Sequence, residues 1–179
     1  LDKLNMNPFY KNLYLMSILC GKALAFFIGQ LKLFESSTIT LVGFSLGSIV
    51  AYKCLSDIYF MKKSNVIYNF VMIGSPLAKK NLDPEIVKLS VGSFFNIFSM
   101  DDKVLKYLSS MNSNFQNPCG LNEIVYEGSI YSTKKIKISN YDMTSLVHCH
   151  MDYTKYFKKI VEFVRKADDF KSISNFLFK

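Results

Sequence analysis

Arginine is almost absent from this sequence. Of the 22 basic side chains, Arg165 is the one arginine, and the formal net charge of +8 comes from lysines scattered through surface-like positions. Proteins that read base edges and phosphates favour the planar fork of arginine over lysine. The composition therefore argues against a nucleic-acid partner. It fits a general attraction to an anionic membrane surface better.

Metal-binding cysteine spacing is also missing. The four cysteines, at positions 20, 54, 119 and 149, form no C-x-x-C pair, so we expect no metal and no cofactor. Cys20 and Cys54 fall on apolar stripes, where a free cysteine behaves as a small hydrophobic residue. Reduced thiols of this kind favour an intracellular setting.

An unbroken apolar run is lacking as well. Residues 8–33 are predicted to form one long helix, but Lys22, Gln30 and Lys32 interrupt it. A membrane-spanning helix needs about 20 apolar residues without a central charge. The pattern favours a helix packed on a sheet, and a segment that touches lipid is the alternative.

No linker and no internal repeat divides the 179 residues, which are enough for one domain with a core. Residue 1 is leucine, so we expect a single domain over 1–179 that is part of a longer protein and lacks its first strands. Residues 167–179 are predicted to form an amphipathic tail.

Apolar runs alternate with helical patterns along the chain, which predicts an α/β fold with a mostly parallel sheet flanked by helices. The buried runs lack polar alternation, as parallel strands do. Ile136 and Ile138 alternate with polar residues, which is typical of an edge strand. Predicted strands cover 38–42, 66–73 and 94–99. After the first of these strands, a predicted helix extends to about residue 61. Further predicted helices extend from 83–84 to about 90, over 103–111 and over 150–166.

The strongest motif is Gly43-Phe44-Ser45-Leu46-Gly47, between the first predicted strand and a helix. A serine in G-x-S-x-G at a sharp strand-to-helix turn is typical of an activated nucleophile. Both glycines are expected to be required because the tight turn leaves no room for a Cβ atom. The alternative is that Ser45 only caps the helix.

A serine nucleophile needs a base and a group that orients the base. The two histidines, His148 and His150, both follow the last predicted strand, and Asp102 follows the third. Since strand C-termini of a parallel sheet meet at one edge, Ser45, Asp102 and His150 are expected to meet there. This chain order, serine, acid, histidine, is that of the α/β-hydrolases.

Alternatives remain for two of these roles. His148 is the rival base, and Asp101 competes with Asp102. Asp142 and Asp152 are less favoured because they lie beside the histidines in sequence rather than on a separate strand.

The surroundings of the nucleophile are partly predictable. The N–H of Leu46 is the expected first donor of an oxyanion hole, whose second donor normally lies on a loop after an earlier strand. No glycine-rich loop precedes Ser45 in this chain. Phe44 and Ser75, which follows the second strand in Gly74-Ser75-Pro76, are predicted to bind substrate.

These motifs together resemble those of the transmembrane-and-coiled-coil-domain-containing protein four family, over roughly residues 15–165. The resemblance implies the C-terminal part of an α/β-hydrolase fold, with Ser45 as nucleophile, Asp102 as acid and His150 as base. It also implies membrane-spanning segments upstream, and it extends more distantly to triacylglycerol lipases. His148-Cys149 departs from the family's pattern of small residues. The motifs that carry the resemblance are the elbow, Gly74-Ser75-Pro76, Asn96 with Ser99 and Asp102, Gly120-Leu121, Asp142-x-Thr144-Ser145-x-Val147 and His150-x-Asp152-Tyr153.

The sequence thus predicts a serine hydrolase that cleaves an ester, with a lipid ester as the favoured substrate. We expect an intracellular, membrane-associated protein. The alternative function is a membrane-associated adaptor or trafficking factor that keeps the fold without turnover. The sequence carries no signal on oligomeric state.

Overall fold

The computed structural model describes residues 8–30, 39–61, 67–87, 93–111, 115–125 and 138–166. Helices and strands alternate along these ranges, as the apolar pattern predicts. The α-helices are α1 (Pro8–Gln30), α2 (Leu46–Phe60), α3 (Pro84–Val87), α4 (Lys103–Met111) and α5 (Phe157–Lys166). The strands are β1 (Ile39–Phe44), β2 (Ile67–Ile73), β3 (Phe94–Phe98) and β4 (Ile138–Asp142). Within the described ranges, 3₁₀ helices also cover Lys79–Asn81, Cys119–Leu121 and His150–Tyr156.

The four strands form one parallel sheet in the order β1-β2-β3-β4. This confirms the predicted α/β class with a parallel sheet. Since all strands run the same way, the loops that follow them gather at one edge. The turns after β1 and β3 and the 3₁₀ helix at His150 therefore lie close together.

Each face of the sheet is covered by a separate apolar layer. Alternate residues of β2 and β3, such as Phe70 and Phe94, pack with α1 and α2, and their neighbours Val71 and Phe95 pack with α5. Strands buried on both faces explain why their sequences show no polar alternation. The site lies where the two layers meet at the edge of the sheet.

Helix α1 packs closely on α2 along one side. A Cβ atom at Gly21 would lie 2.6 Å from Cβ of Lys53, so the small residue allows the two helices to approach. By length and composition α1 could cross a membrane, although 28% of its most apolar window is buried in the protein. Its outer side exposes Leu15, Met16, Leu19, Phe26 and Phe27.

The element boundaries differ from the predicted ones in two informative places. β1 continues through Gly43 to Phe44, so the elbow begins within the strand. The last predicted helix begins as the 3₁₀ helix His150–Tyr156 and becomes α-helical at Phe157. The predicted tail over 167–179 lies outside the described residues.

Candidate active site

Ser45 lies at the turn between β1 and α2 with φ 52° and ψ −128°. A positive φ is uncommon for a residue with a side chain, and the surrounding structure has to hold it. The Ser45 N–H donates to the Ile73 carbonyl at 3.0 Å. Its carbonyl accepts from the N–H of Ser48 at 3.0 Å and from the Ser48 hydroxyl at 2.5 Å. These bonds fix the backbone that presents the Ser45 side chain.

The two glycines of the motif differ in what they require. A Cβ atom on Gly43 would lie 2.4 Å from Cα of Ser48 and 2.5 Å from the Gly47 carbonyl oxygen, so this position has no room for a side chain. A Cβ atom on Gly47 would meet no described heavy atom within 4 Å. The expectation that both glycines are sterically required is therefore wrong for Gly47, where a Cβ atom would face open space.

A chain of hydrogen bonds joins Ser45, His150 and Asp102. His150 Nδ1 lies 2.6 Å from Oδ2 of Asp102, and His150 Nε2 lies 2.7 Å from Oγ of Ser45. A carboxylate can only accept, so Nδ1 carries the proton and Nε2 is left to accept from the serine hydroxyl. Asp102 is fully buried and His150 is 7% exposed. This geometry allows the imidazole to take a proton from Ser45 while Asp102 holds its orientation.

Asp102 also caps α4. Its Oδ1 accepts from the N–H groups of Val104 and Leu105 at 3.1 Å, while Oδ2 faces His150. One carboxylate thus caps the helix with Oδ1 and contacts the imidazole with Oδ2. Asp101 lies beside it on the surface, 3.3 Å from the Lys106 ammonium.

The rival histidine and carboxylates have other contacts. His148 is 65% exposed at its side chain, and its Nδ1 lies 3.8 Å from Asp101. Asp142 accepts from the N–H of Thr144. Asp152 accepts from the N–H groups of His148 and Cys149, which fixes the turn that carries the base. Hydrogen bonds from the Lys155 ammonium and from the Cys149 N–H lower the pKa of Asp152.

Aromatic rings cover one side of the His150 imidazole. The Phe44 ring stacks on the His150 imidazole, with centroids 5.0 Å apart and planes 23° apart. The Tyr153 and Phe157 rings pack against Phe44 in T-shaped geometry. In the sequence, the helical spacing of Tyr153 and Phe157 indicates that they are buried, but it does not indicate that they contact Phe44. Phe44 is half-buried, and its predicted substrate contact stays a prediction.

Tyr153 is a site neighbour that sequence reasoning missed. It is fully buried, and its ring lies over Gly74, where a Cβ atom would come within 2.7 Å of Cε2. Gly74 has φ 51°, which also favours glycine. Ser75 follows it and is fully buried, with its hydroxyl 2.6 Å from that of Ser48. The predicted contact of Ser75 with substrate stays a prediction.

Leu46 is the first residue of α2, where N–H groups have no acceptor within the helix. The helix dipole adds positive partial charge there. The position is suited to an oxyanion. Over the described ranges, no group of three or more His, Cys, Asp or Glu side chains is placed to hold a metal ion.

Fold and site together define a parallel α/β protein in which a serine, a histidine and an aspartate are linked by hydrogen bonds at the C-terminal edge of the sheet. The chain belongs to the family described as "Protein of unknown function (DUF726)", which matches residues 3–167. No solved structure matches the chain.

Several curated proteins are similar to this chain. Transmembrane and coiled-coil domain-containing protein STS1 of Oryza sativa subsp. japonica is 29% identical over 126 residues, 69% of this chain and 18% of that protein. An uncharacterized membrane protein of Schizosaccharomyces pombe is 28% identical over 69% of this chain and 20% of its own length. "Probable lipase MIL1" of Saccharomyces cerevisiae is 29% identical over 69% of this chain and 11% of its own length. The matched region thus spans a fifth or less of these relatives.

Proposed function

We propose that this chain carries the nucleophile, base and acid of a serine ester hydrolase with an α/β-hydrolase fold. The observation that supports the proposal is the pair of hydrogen bonds at 2.7 Å and 2.6 Å that link Ser45 to His150 and His150 to Asp102. The strained backbone of Ser45 and its place at the start of a helix agree with it.

The mechanism would be acyl transfer in two steps. Ser45 Oγ attacks the ester carbonyl and gives its proton to His150 Nε2, and the Leu46 N–H donates to the developing oxyanion. The imidazolium then protonates the leaving alcohol, which departs and leaves an acyl group on Ser45. In the second step a water oxygen attacks the acyl carbonyl and gives its proton to His150 Nε2. The bond to Ser45 Oγ then breaks, Oγ takes the proton back from His150, and the carboxylic acid is released. Asp102 orients the imidazole throughout.

The favoured substrate class is a lipid ester. One relative is named a probable lipase, and others are named membrane proteins. The exposed apolar side of α1 would suit association with a lipid surface. The lipid assignment thus rests on the relatives and on a surface, whereas the ester-hydrolase assignment rests on the site itself.

A fluorophosphonate probe tests the proposal, because it modifies serines that an adjacent base activates. The whole protein and this chain would each be labelled beside their Ser45→Ala variants. Ser110→Ala is the matched control, since its hydroxyl is exposed and donates only to the Tyr107 carbonyl. We expect labelling that disappears in Ser45→Ala and persists in Ser110→Ala. Equal labelling of Ser45→Ala, or no labelling of a folded parent, would contradict the proposal.

The second candidate is a membrane-associated adaptor that keeps the fold without turnover. The naming of relatives as membrane proteins and the outer side of α1 favour it. Complementation separates the two functions: a whole protein with Ser45→Ala that restores a deletion phenotype supports the adaptor. Loss of complementation at normal abundance supports the hydrolase.

Membrane association itself is tested on vesicles of phosphatidylcholine with anionic phosphatidylserine. If α1 contacts lipid, Leu19→Lys and Phe26→Lys together should reduce flotation of this chain with the vesicles. Val161→Lys, at an exposed apolar position on α5, is the control. Undiminished flotation of the α1 variant would place the contact elsewhere.

A further inference from the structure

The Phe44 side chain has a relation to the base that the proposed mechanism does not use. Its ring lies face to face with the His150 imidazole at a centroid distance of 5.0 Å and an interplanar angle of 23°. The aromatic face carries the negative part of the ring quadrupole, and a cation within about 6 Å of the centroid is attracted to it. The centroid distance falls within this range, and the interplanar angle is that of stacked rings.

Other side chains hold the Phe44 ring in this position. The Tyr153 and Phe157 rings meet it in T-shaped geometry at centroid distances of 6.0 Å and 5.2 Å, and Phe44 packs against the apolar layer beneath α5. Tyr153 is itself fixed, because it is fully buried against Gly74. The ring over the imidazole is therefore also packed against side chains of the apolar layer.

The imidazole is neutral before the reaction and positive once it has taken the Ser45 proton. An interaction that is stronger with the charged form stabilises the transition state more than the ground state, and only such a difference raises the rate. We propose that Phe44 is a positioning residue that stabilises the imidazolium of His150 by a cation–π interaction. This inference rests on the proposed function, because it assigns Phe44 a part in the same proton transfer.

Few other groups face the imidazole in the described residues. Asp102 from the start of α4 faces Nδ1, the Ser45 hydroxyl faces Nε2, and the Tyr153 ring presents an edge from the same turn. Of the exposed charges around this turn, Asp101 pairs with Lys106 and Asp152 with Lys155, and Asp142 accepts from the Thr144 N–H. Asp102 and the Phe44 face are the described groups that contact the ring and favour a positive charge on it.

A fluorination series at position 44 tests the proposal without changing the ring's shape. Phenylalanine with one, two, three or five ring fluorines would be introduced at position 44 of the whole protein by codon suppression, since fluorine withdraws the negative charge from the ring face. The readout is the second-order rate constant of labelling by a fluorophosphonate. In that reaction the Oγ–P bond forms, the P–F bond breaks, fluoride departs, and the Ser45 proton moves to His150.

The expected result is a stepwise fall in the rate constant with each added fluorine, by about 2- to 30-fold in total. The same series at Phe95, which is buried beneath α5 away from the base, should leave the rate constant unchanged. Phe44→Leu, which replaces the ring with a smaller aliphatic side chain and so removes the attraction, should also lower the rate constant. A flat fluorination series with a folded protein would overturn the proposal.

Two probes with short and long alkyl groups separate this role from substrate contact. If Phe44 acts on the imidazolium, the rate constant of labelling should fall by the same factor with both probes across the fluorination series. If the loss depends on the alkyl group, Phe44 acts on the substrate and the proposal is wrong. If the unaltered protein shows no labelling that depends on Ser45, the proposed function fails first, and the inference fails with it.

Discussion

The hydroxyl groups of Ser48 and Ser75 lie 2.6 Å apart behind the nucleophile, although 27 positions separate them in the chain. Ser75 Oγ accepts from the N–H of Leu77, and the Ser48 hydroxyl donates to the Ser45 carbonyl. The Ser75 hydroxyl must therefore donate to Ser48, so all protons in this buried relay point toward the elbow. The relay ties the turn after β2 to Ser45, whose backbone is strained.

Ser48→Ala is expected to remove the relay and lower the free energy of unfolding by about 1–2 kcal/mol, the usual effect of losing a buried hydrogen bond. It should also slow labelling of Ser45 because the elbow is held less firmly. Thermal or urea unfolding and labelling kinetics would measure the two effects. Ser110→Ala, at an exposed serine, should change neither. A Ser48→Ala variant with parental stability would show that the relay does not stabilise the elbow.

The two motif glycines are expected to respond oppositely to the same substitution. Gly43→Ala should lower the free energy of unfolding by about 1–3 kcal/mol, because the new Cβ would overlap the Ser48 backbone. Gly47→Ala should be neutral or raise it by up to about 1 kcal/mol, since alanine favours helix and its Cβ meets open space. Chemical denaturation of both variants checks this. Equal losses at the two positions would contradict the structure of the turn.

The neighbouring aspartates provide a second matched pair. Asp102→Asn should keep the cap of α4, because an asparagine Oδ1 can still accept from Val104 and Leu105. It should nevertheless lower the rate of ester hydrolysis by about 10²- to 10⁴-fold, since the amide cannot hold the imidazole as a carboxylate does. Asp101→Asn changes an exposed carboxylate and should retain most activity.

Initial rates on a p-nitrophenyl ester, together with melting curves, would separate loss of activity from loss of fold. Comparable losses in both aspartate variants, or full activity in Asp102→Asn, would show that Asp102 does not orient the base.

The cysteines should divide into two classes in the folded protein. Burial raises the pKa of the Cys54 and Cys119 thiols to about 12, whereas Cys20 and Cys149 are exposed. A raised thiol pKa keeps these side chains protonated through mildly alkaline pH, and the thiolate is the reactive form. Iodoacetamide at pH 8.5 should therefore modify Cys20 and Cys149 rapidly, and mass spectrometry would locate the adducts.

All four cysteines should react after unfolding in urea, which is the control for that experiment. Rapid modification of Cys54 in the native state would mean that the α1–α2 layer opens, since Cys54 is fully buried there.

Much of the sheet could be predicted because its strands are buried on both faces. A short, mostly apolar run such as Phe94–Phe98 is typical of a strand buried on both faces. The loops that follow parallel strands also meet at one edge of the sheet. That rule alone groups Ser45, Asp102 and His150. The order of residues in the chain could not show which ring nitrogen faces which partner.

Other features depend on three-dimensional contacts that no local pattern carries. Gly43 and Gly47 look equivalent in the motif, yet one lies inside a crowded turn and the other faces open space. The stacking of Phe44 on His150 joins residues 106 positions apart (150 − 44) and has no periodic signature. The 3₁₀ form of the turn at His150 also differs from the predicted α-helix, because helical spacing does not separate the two.

The hydrogen bond between Ser45 and His150 spans 105 positions, which has a consequence for protein synthesis. The ribosome releases the elbow and α2 well before the segment that supplies the base. During that interval the serine has no imidazole partner, so under the proposed function the nascent chain would not react with esters. Reactivity would begin only when β4 has joined β3 and the histidine turn has docked, and probe labelling would then report on completed folding.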